Sequence, residues 1–188
     1  MTGISESIRA RRSLFRTGSS VWRVRQFVAS VLNVSDPGID DELRRLVSNE
    51  EQWALLARLS PFDRSHQLRV RRHLVERGCD DPDLLLAALL HDAGKADDCG
   101  MAGSPARALS VLARRVPGLN CRLTTERHPR WLHGLYLAEH HAQLGASLAR
   151  AAGASERCCE LISRHEEDTV VDDPLLAALV AADNAVIR

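Results

Sequence analysis

Apolar residues recur along most of the chain at intervals of three and four, the spacing that places side chains on one face of an α-helix. This pattern predicts a series of amphipathic helices and one weaker candidate. The predicted helices span residues 19–32, 40–58 (as one or two segments), 61–77, 131–152, 155–166 and 174–188, with the weaker candidate at 105–116. No stretch shows the apolar–polar alternation of a strand, so the pattern predicts an all-α fold.

A further helix is predicted at the centre of the fold. Pro61 opens the helix before it and Gly78 ends that helix, since glycine commonly follows the last helical residue. Asp81 followed by Pro82 is typical of an N-cap with proline in the first helical position. The segment from Pro82 to Leu90 is leucine- and alanine-rich and apolar on every side. A helix of that kind is expected to be surrounded by other helices.

Composition limits the class of protein. The 188 residues are 45% hydrophobic and 27% charged, and this length is typical of one domain with or without an appendage. We expect residues 58–188 to form the main domain and residues 1–57 a helical extension. The 25 basic and 25 acidic residues cancel, so the chain lacks the overall positive field of a nucleic-acid coat protein.

Hydropathy and cysteine content indicate a cellular compartment. No apolar run approaches the roughly 20 residues that span a bilayer. The N-terminal residues lack the apolar core of a signal peptide. The five cysteines are an odd number without the spacing of a disulfide framework, which favours reduced thiols. We therefore expect a cytoplasmic protein without a transmembrane segment.

Several polar residues fall on the apolar faces of the predicted helices. By helical phase, one such residue lies on each of four helices, and a His-Asp doublet ends the central helix. These residues are His66, His141, His165, Asp183 and the doublet His91-Asp92. Burying such groups without partners costs several kcal/mol each, a cost that a shared metal ion would remove. Imidazole with carboxylate suits Zn, Mn, Fe or Ni, whereas Ca and Mg prefer oxygen ligands alone.

Each of these residues also has an ordinary structural interpretation. A single inward histidine is more often hydrogen-bonded to a backbone carbonyl, and a terminal His-Asp pair can form a salt bridge. Asp183 can cap a nearby backbone segment. The coincidence of all six positions favours the metal site over six separate explanations.

The order of these residues resembles the HD superfamily of metal-dependent phosphohydrolases, an all-helical fold named for its His-Asp doublet. The resemblance covers about residues 58–188, and residues 89–95 are similar to the central motif of the family. It implies an HD-domain helical bundle, here with an N-terminal helical extension. It also implies one or two divalent transition metal ions as cofactors, with Fe, Mn, Zn, Ni and Co as candidates.

The resemblance implies a role for each matched residue. The first ion would be held by His66, His91, Asp92 and Asp183. Asp92 would bridge to a second ion held by His141 and His165. Asp92 and Lys95 would be the catalytic residues, with Lys95 on a substrate phosphate while a metal-bound water or hydroxide attacks phosphorus.

Lys95 is also a candidate site residue on grounds that do not depend on the resemblance to the family. It is the single lysine among 25 basic residues, and it falls one turn beyond the doublet. Its compact charge can neutralise a phosphate oxygen without competing for metal. Gly94 is expected to permit the turn that directs Lys95 to the site.

The chain departs from the family in two places. Binuclear relatives often carry adjacent histidines where this chain has Arg164 and His165, and helical phase places His165 inward and Arg164 on the polar face. The Gly-Tyr-Pro signature of the cyclic di-GMP branch does not follow His165, so that substrate is not predicted. Cys158 shares the face of His165, where a buried structural thiol is expected rather than a ligand.

Three functions follow from this interpretation. The leading hypothesis is a hydrolase that cleaves a phosphomonoester or phosphodiester of a small phosphorylated molecule, with a nucleotide as the expected substrate. Some HD-fold proteins of similar ligand order are di-iron oxygenases, which is the first alternative. The second alternative is a non-catalytic module that binds a ligand or partner and contains a structural metal.

Overall fold

The fold of the protein is an all-α bundle, as predicted. The computed structural model describes residues 37–97, 100–101, 132–167 and 172–187. The predicted helices at 19–32 and 105–116 lie outside the described residues. The described helices are α1 (Pro37–Leu46), α2 (Glu50–Ala57), α3 (Pro61–Glu76), α4 (Pro82–Leu90), α5 (His133–Ala151), α6 (Glu156–Arg164) and α7 (Pro174–Ile187). A 3₁₀ turn (Ala93–Lys95) follows α4.

The residues that begin and end the helices act through backbone hydrogen bonding. The Asp81 side chain accepts a hydrogen bond from the Leu84 amide at the start of α4, and Pro82 occupies the first turn, where no intrahelical donor is needed. Ser60 caps α3 in the same way ahead of Pro61. The predicted segment 40–58 forms two helices, because Asn49 interrupts it and caps α2.

Helix α4 lies at the centre of the bundle. Leu84, Leu89 and Leu90 are fully buried, and α4 contacts α2, α3, α6 and α7. The apolar character on all sides of this helix is therefore explained by neighbours on all sides. Its C-terminal end, which carries the His-Asp doublet, consequently lies in the interior.

A single large core joins most of the described helices. Leu43 of α1 and Leu56 of α2 belong to the same buried cluster as the leucines of α4 and of α7. The part of the predicted extension that the structure describes, residues 37–57, thus shares its core with the rest of the bundle. The buried Arg64 of α3 ties α1 in place through an ion pair with Asp40, at 2.7 Å between Nε and Oδ1.

The described residues also contain one short pair of strands, which leaves the fold class unchanged. Two-residue strands, β1 (Ala96–Asp97) and β2 (Gly100–Met101), pair antiparallel directly after the 3₁₀ turn. A strand of two residues is too short to show apolar–polar alternation, which explains why the sequence pattern does not reveal it. Among the described residues, no helix combines the length and the hydropathy needed to cross a membrane.

Gly94 has a different structural role from the predicted one. The positive φ values among the described glycines belong to Gly78 and Gly153, so the backbone of Gly94 does not require glycine for its conformation. Instead, a Cβ at position 94 would lie 2.2 Å from the carbonyl oxygen of His141 and 2.6 Å from the amide nitrogen of Gly145. Gly94 is needed because the 3₁₀ turn packs directly against the backbone of α5.

Candidate metal centre

The structure brings the six predicted ligands together at the interior end of α4. Five helices supply them, and all are buried except Asp183, whose side chain is 20% exposed. His91 and Asp92 follow the last residue of α4, and His165 follows the last residue of α6. The remaining ligands lie within helices: His66 in α3, His141 in α5 and Asp183 in α7.

One set of donor atoms, here called the first donor group, comprises His66, His91 and Asp92. Their ligand atoms all lie within 4.8 Å of one another. Asp183 lies beside this group, with its Oδ1 2.8 Å from His66 Nε2 and 3.7 Å from His91 Nε2. The structure therefore brings His66, His91, Asp92 and Asp183 together.

A second donor group comprises Asp92, His141 and His165, again within 4.8 Å of one another. The Nε2 atom of His141 lies 3.4 Å from Asp92 Oδ1 and 3.3 Å from His165 Nε2. The Nε2 atom of His165 lies 3.9 Å from Asp92 Oδ1. Asp92 belongs to both groups, which is the position of a bridging carboxylate.

These separations are compatible with metal coordination. Bonds from a transition metal to imidazole nitrogen or carboxylate oxygen measure about 2.0–2.1 Å, so two ligands of one ion lie at most about 4.2 Å apart. The atom pairs given above for each group fall below that limit. The described residues could therefore hold one ion at each donor group.

Hydrogen bonds set the tautomers of three of the histidines. The Nδ1 atoms of His91, His141 and His165 lie 3.1, 3.0 and 2.7 Å from the carbonyl oxygens of Ala88, Ala138 and Ile162, each three residues earlier. A carbonyl oxygen only accepts, so each Nδ1 carries the proton and donates it. In the neutral ring, Nε2 is then unprotonated, and its lone pair faces the centre. Metal-binding histidines are commonly oriented in this way.

Two further observations favour a cation at the first donor group. The Nε2 atom of His91 is buried and makes no hydrogen bond. Leaving such a group unpaired costs about 1–3 kcal/mol, which coordination to an ion would remove. His66 Nε2 donates to Asp183, and this shared proton occupies a position where a cation would satisfy both residues.

The negative charges of Asp92 and Asp183 favour a cation at the first donor group. Burial opposes ionisation of Asp92, but Lys95 and the surrounding histidines outweigh it and hold the pKa of the carboxyl well below its usual value. Burial also acts to lower the pKa of His91, yet Asp92 and Asp183 outweigh burial, so the pKa is raised. Asp183 behaves like Asp92, because His66 and His91 lower its pKa despite burial. Both carboxylates are therefore charged at neutral pH.

The histidines of the second donor group are neutral at physiological pH. Burial, reinforced by Lys95, lowers the pKa of His141 to about 3. Burial and the proximity of His91 lower the pKa of His165 to about 4. A neutral imidazole is the form that binds metal, so both rings are ready to act as ligands.

Lys95 lies within the site rather than beside it. Its Nζ is 2.6 Å from Asp92 Oδ1 and its side chain is 20% exposed. That oxygen has no hydrogen bond of acceptable angle, so the contact is an ion pair rather than an aligned hydrogen bond. The ammonium group both stabilises the charge of Asp92 and reaches the solvent-accessible side of the centre.

The other residues near the centre also match the sequence interpretation. Arg164 points away and pairs with Glu167, Glu160 and Asp173. Cys158 is fully buried, and burial raises the pKa of its thiol to about 12. A thiol of that pKa stays protonated and is a poor ligand, since the thiolate is the metal-binding form.

Sequence reasoning missed one residue at the centre. Glu166 directly follows His165, and its Oε1 lies 3.8 Å from His141 Nε2. Its side chain is 37% exposed, and the residue lies beyond the end of α6, where helical phase no longer predicts which way a side chain faces. The signal that could have found Glu166 is its position directly after His165, a candidate ligand.

Comparison of the chain with protein-family models, with curated proteins and with solved structures finds no match. The helical bundle and its buried His/Asp groups are compatible with an HD-like fold.

Proposed function

We propose that this protein is a metal-dependent phosphohydrolase that cleaves a phosphomonoester or phosphodiester, with nucleotides as the substrate class to test first. The observation that carries the proposal is the pair of donor groups sharing Asp92, with the Lys95 ammonium 2.6 Å from that carboxylate. Two ions bridged by one carboxylate are typical of sites that displace groups at phosphorus.

Each residue contributes in a way that follows from its environment. Bound ions would supply Lewis acidity and a water that ionises near neutral pH. The histidines His91, His141 and His165 would hold the ions, because backbone carbonyls fix their Nδ1 protons and direct Nε2 inward. Lys95 would bind a phosphate oxygen, since its ammonium lies next to the shared carboxylate and reaches solvent.

Exposure at the centre supports an enzyme rather than a structural metal site. Structural sites are closed by protein ligands, whereas catalytic sites keep a position open to water or substrate. The Lys95 and Asp183 side chains are each 20% exposed, so the donor groups adjoin solvent at both residues. A phosphate oxygen arriving beside Lys95 would meet its ammonium as it reached the donor groups.

The test is hydrolysis of a panel of nucleotides and generic phosphoesters by the full chain loaded with Mn, Fe, Co or Ni. We expect Asp92→Ala to lose both metal and activity, and Lys95→Met to keep the metal but lose turnover. His141→Ala should weaken metal binding, because His141 belongs to the second donor group. His140→Ala is its matched control, because His140 packs on Tyr136 outside the donor groups. Wild-type protein that retains metal but hydrolyses nothing in the panel would overturn the proposal.

A different outcome would assign another reaction to the same ligands. The donor set of imidazoles and carboxylates also suits a di-iron oxygenase. Two irons per chain, oxygen consumption and no phosphoester hydrolysis would favour the oxygenase. Anaerobic purification followed by iron quantification and an oxygen-electrode assay separates the two.

A further inference from the structure

The two carboxylate oxygens of Asp92 face different donor groups. Oδ2 is the oxygen close to the first group, 3.6 Å from His91 Nε2. Oδ1 is the oxygen close to the second group, 3.4 Å from His141 Nε2 and 3.9 Å from His165 Nε2. The Nζ atom of Lys95 contacts this same Oδ1 at 2.6 Å. The ammonium group therefore lies at the oxygen that faces the second donor group.

An ion bound to Oδ1 would be close to the lysine. A transition metal bonds to a carboxylate oxygen at about 2.0–2.2 Å, so with Lys95 in this position the ion would lie no more than about 4.8 Å from Nζ. A divalent ion and an ammonium group repel each other at that distance. Because Asp92 is buried, water and salt screen the repulsion only weakly. Lys95 therefore opposes binding of an ion in the second donor group as long as it contacts Oδ1.

Lys95 needs another anion when it leaves Asp92. Among the residues that the structure describes, Asp92 is its one ion-pair partner. The Lys95 side chain is 20% exposed, so an anion from solvent can reach the ammonium group. A phosphate group supplies the negative charge and the acceptor oxygens that form strong, charge-assisted hydrogen bonds with an ammonium group.

We propose that Lys95 competes with the second ion for Asp92 Oδ1, and that a phosphate-bearing ligand promotes binding of this ion by drawing Lys95 away. This inference rests on the metal centre of the proposed function and names the ligand class that regulates it. By linkage, the phosphate raises the affinity for the second ion by the same factor as the ion raises the affinity for phosphate. The first ion is less affected, because Oδ2 faces its donor group.

The first experiment is calorimetric titration of metal-free full chain with Mn²⁺ at pH 8, with and without inorganic phosphate. A unit charge about 4–6 Å away changes the binding of a proton by about 10- to 1,000-fold, and the effect on a divalent ion should be at least as large. We therefore expect Lys95→Met to bind the second equivalent of Mn²⁺ about 10-fold or more tightly than the wild type. Phosphate should tighten the second equivalent in the wild type and should have a much smaller effect in Lys95→Met.

Two matched variants separate the position of the charge from the net charge of the chain. Lys95→Arg keeps a positive charge next to Asp92, so it should bind the second equivalent no more tightly than the wild type. Arg150→Met removes a positive charge that pairs with Glu156, about 13.5 Å further along α5 than His141, and should leave both equivalents unchanged. Equal tightening in Lys95→Met and Arg150→Met, or tightening in neither, would overturn the inference.

The second experiment observes Lys95 directly. The chain contains no other lysine, so protein labelled with ¹³C-lysine gives one Cε signal in a carbon NMR spectrum. Zn²⁺ is the ion to use, because its filled d shell makes it diamagnetic. We expect the second equivalent of Zn²⁺ to shift the signal more than the first, as Nζ leaves the carboxylate. A signal that does not respond to the second equivalent would contradict displacement of the lysine.

The outcomes also distinguish this inference from the proposed function. If the wild type binds two ions and Lys95→Met binds the second no more tightly, the inference fails although the metal centre stands. If both chains bind a single ion with and without phosphate, the inference fails while a mononuclear hydrolase survives. If phosphate and the second ion promote each other's binding but no phosphoester is hydrolysed, the inference stands and the proposed reaction fails. If the wild type binds no metal, both fall together.

Discussion

The contact of Gly94 with α5 gives a sharp test, because a single methyl group there should damage both the fold and the second donor group. In Gly94→Ala the new Cβ would lie 2.2 Å from the His141 carbonyl oxygen, whereas real contacts of this kind begin at about 3.0–3.4 Å. Both partners are backbone, so no side chain can rotate away. The 3₁₀ turn and α5 must separate by about 1 Å.

Separating the two backbones would affect the second donor group, because each of them positions one of its donor residues. The turn lies immediately after Asp92, and α5 carries His141, and the ligand atoms of these two residues are 3.4 Å apart. A separation of about 1 Å along the line between them would bring that distance to about 4.4 Å. That exceeds the limit of about 4.2 Å for two ligands of one ion. Forced overpacking costs about 1–3 kcal/mol. For a chain of this size the melting temperature should fall by about 2–12 °C.

Gly145→Ala is the matched control. Its Cβ would meet the Gly94 amide nitrogen at 3.2 Å and Ile162 Cγ2 at 3.4 Å, which small shifts can accommodate. Alanine in a helix also gains up to about 1 kcal/mol over glycine, which offsets the tight contact. Circular-dichroism melting and Co²⁺ titration of both variants provide the comparison. Equal stability and equal metal binding for the two variants would refute the close-packing argument.

Three further predictions concern other parts of the molecule. Metal affinity should fall as the pH is lowered from about 8 to 6, because ligands bind metal in their deprotonated form. The pKa of His91 is raised above 6.5, so protons compete with the metal at His91 first. Titrations at three pH values that gave the same affinity would contradict this prediction. Cys158 should resist iodoacetamide at pH 8 in the native protein, because it is fully buried and the pKa of its thiol is raised to about 12, and it should react once the protein is unfolded. The partly exposed Cys79 should react in both states. Leu89→Ala, at a fully buried position of α4, should cost about 2–5 kcal/mol in urea unfolding, and a loss below 1 kcal/mol would mean that α4 is not central.

The helices and the inward-facing candidate ligands are predictable because capping residues and helical periodicity act within a few residues of the chain. Asp81-Pro82 and Ser60-Pro61 are start signals that act within a few residues, and the structure shows both caps. Helical phase alone predicts that His66 and His141 face the interior, and both are buried.

Features that depend on tertiary contact could not be predicted in this way. The need for glycine at position 94 arises from a helix about fifty residues further along the chain, so no local pattern reveals it. Glu166 lies past the end of α6, where the periodicity used to place the candidate ligands stops. The strand pair is shorter than any periodic signal.

The metal content of the purified chain, expressed without added metals, tests the central claim most directly. If six side chains from five helices form a cation site, plasma mass spectrometry should find about one or two equivalents of Fe, Mn, Zn, Ni or Co per wild-type chain and background levels in Asp92→Ala. A wild-type chain with no more transition metal than Asp92→Ala, both being folded, would contradict the account.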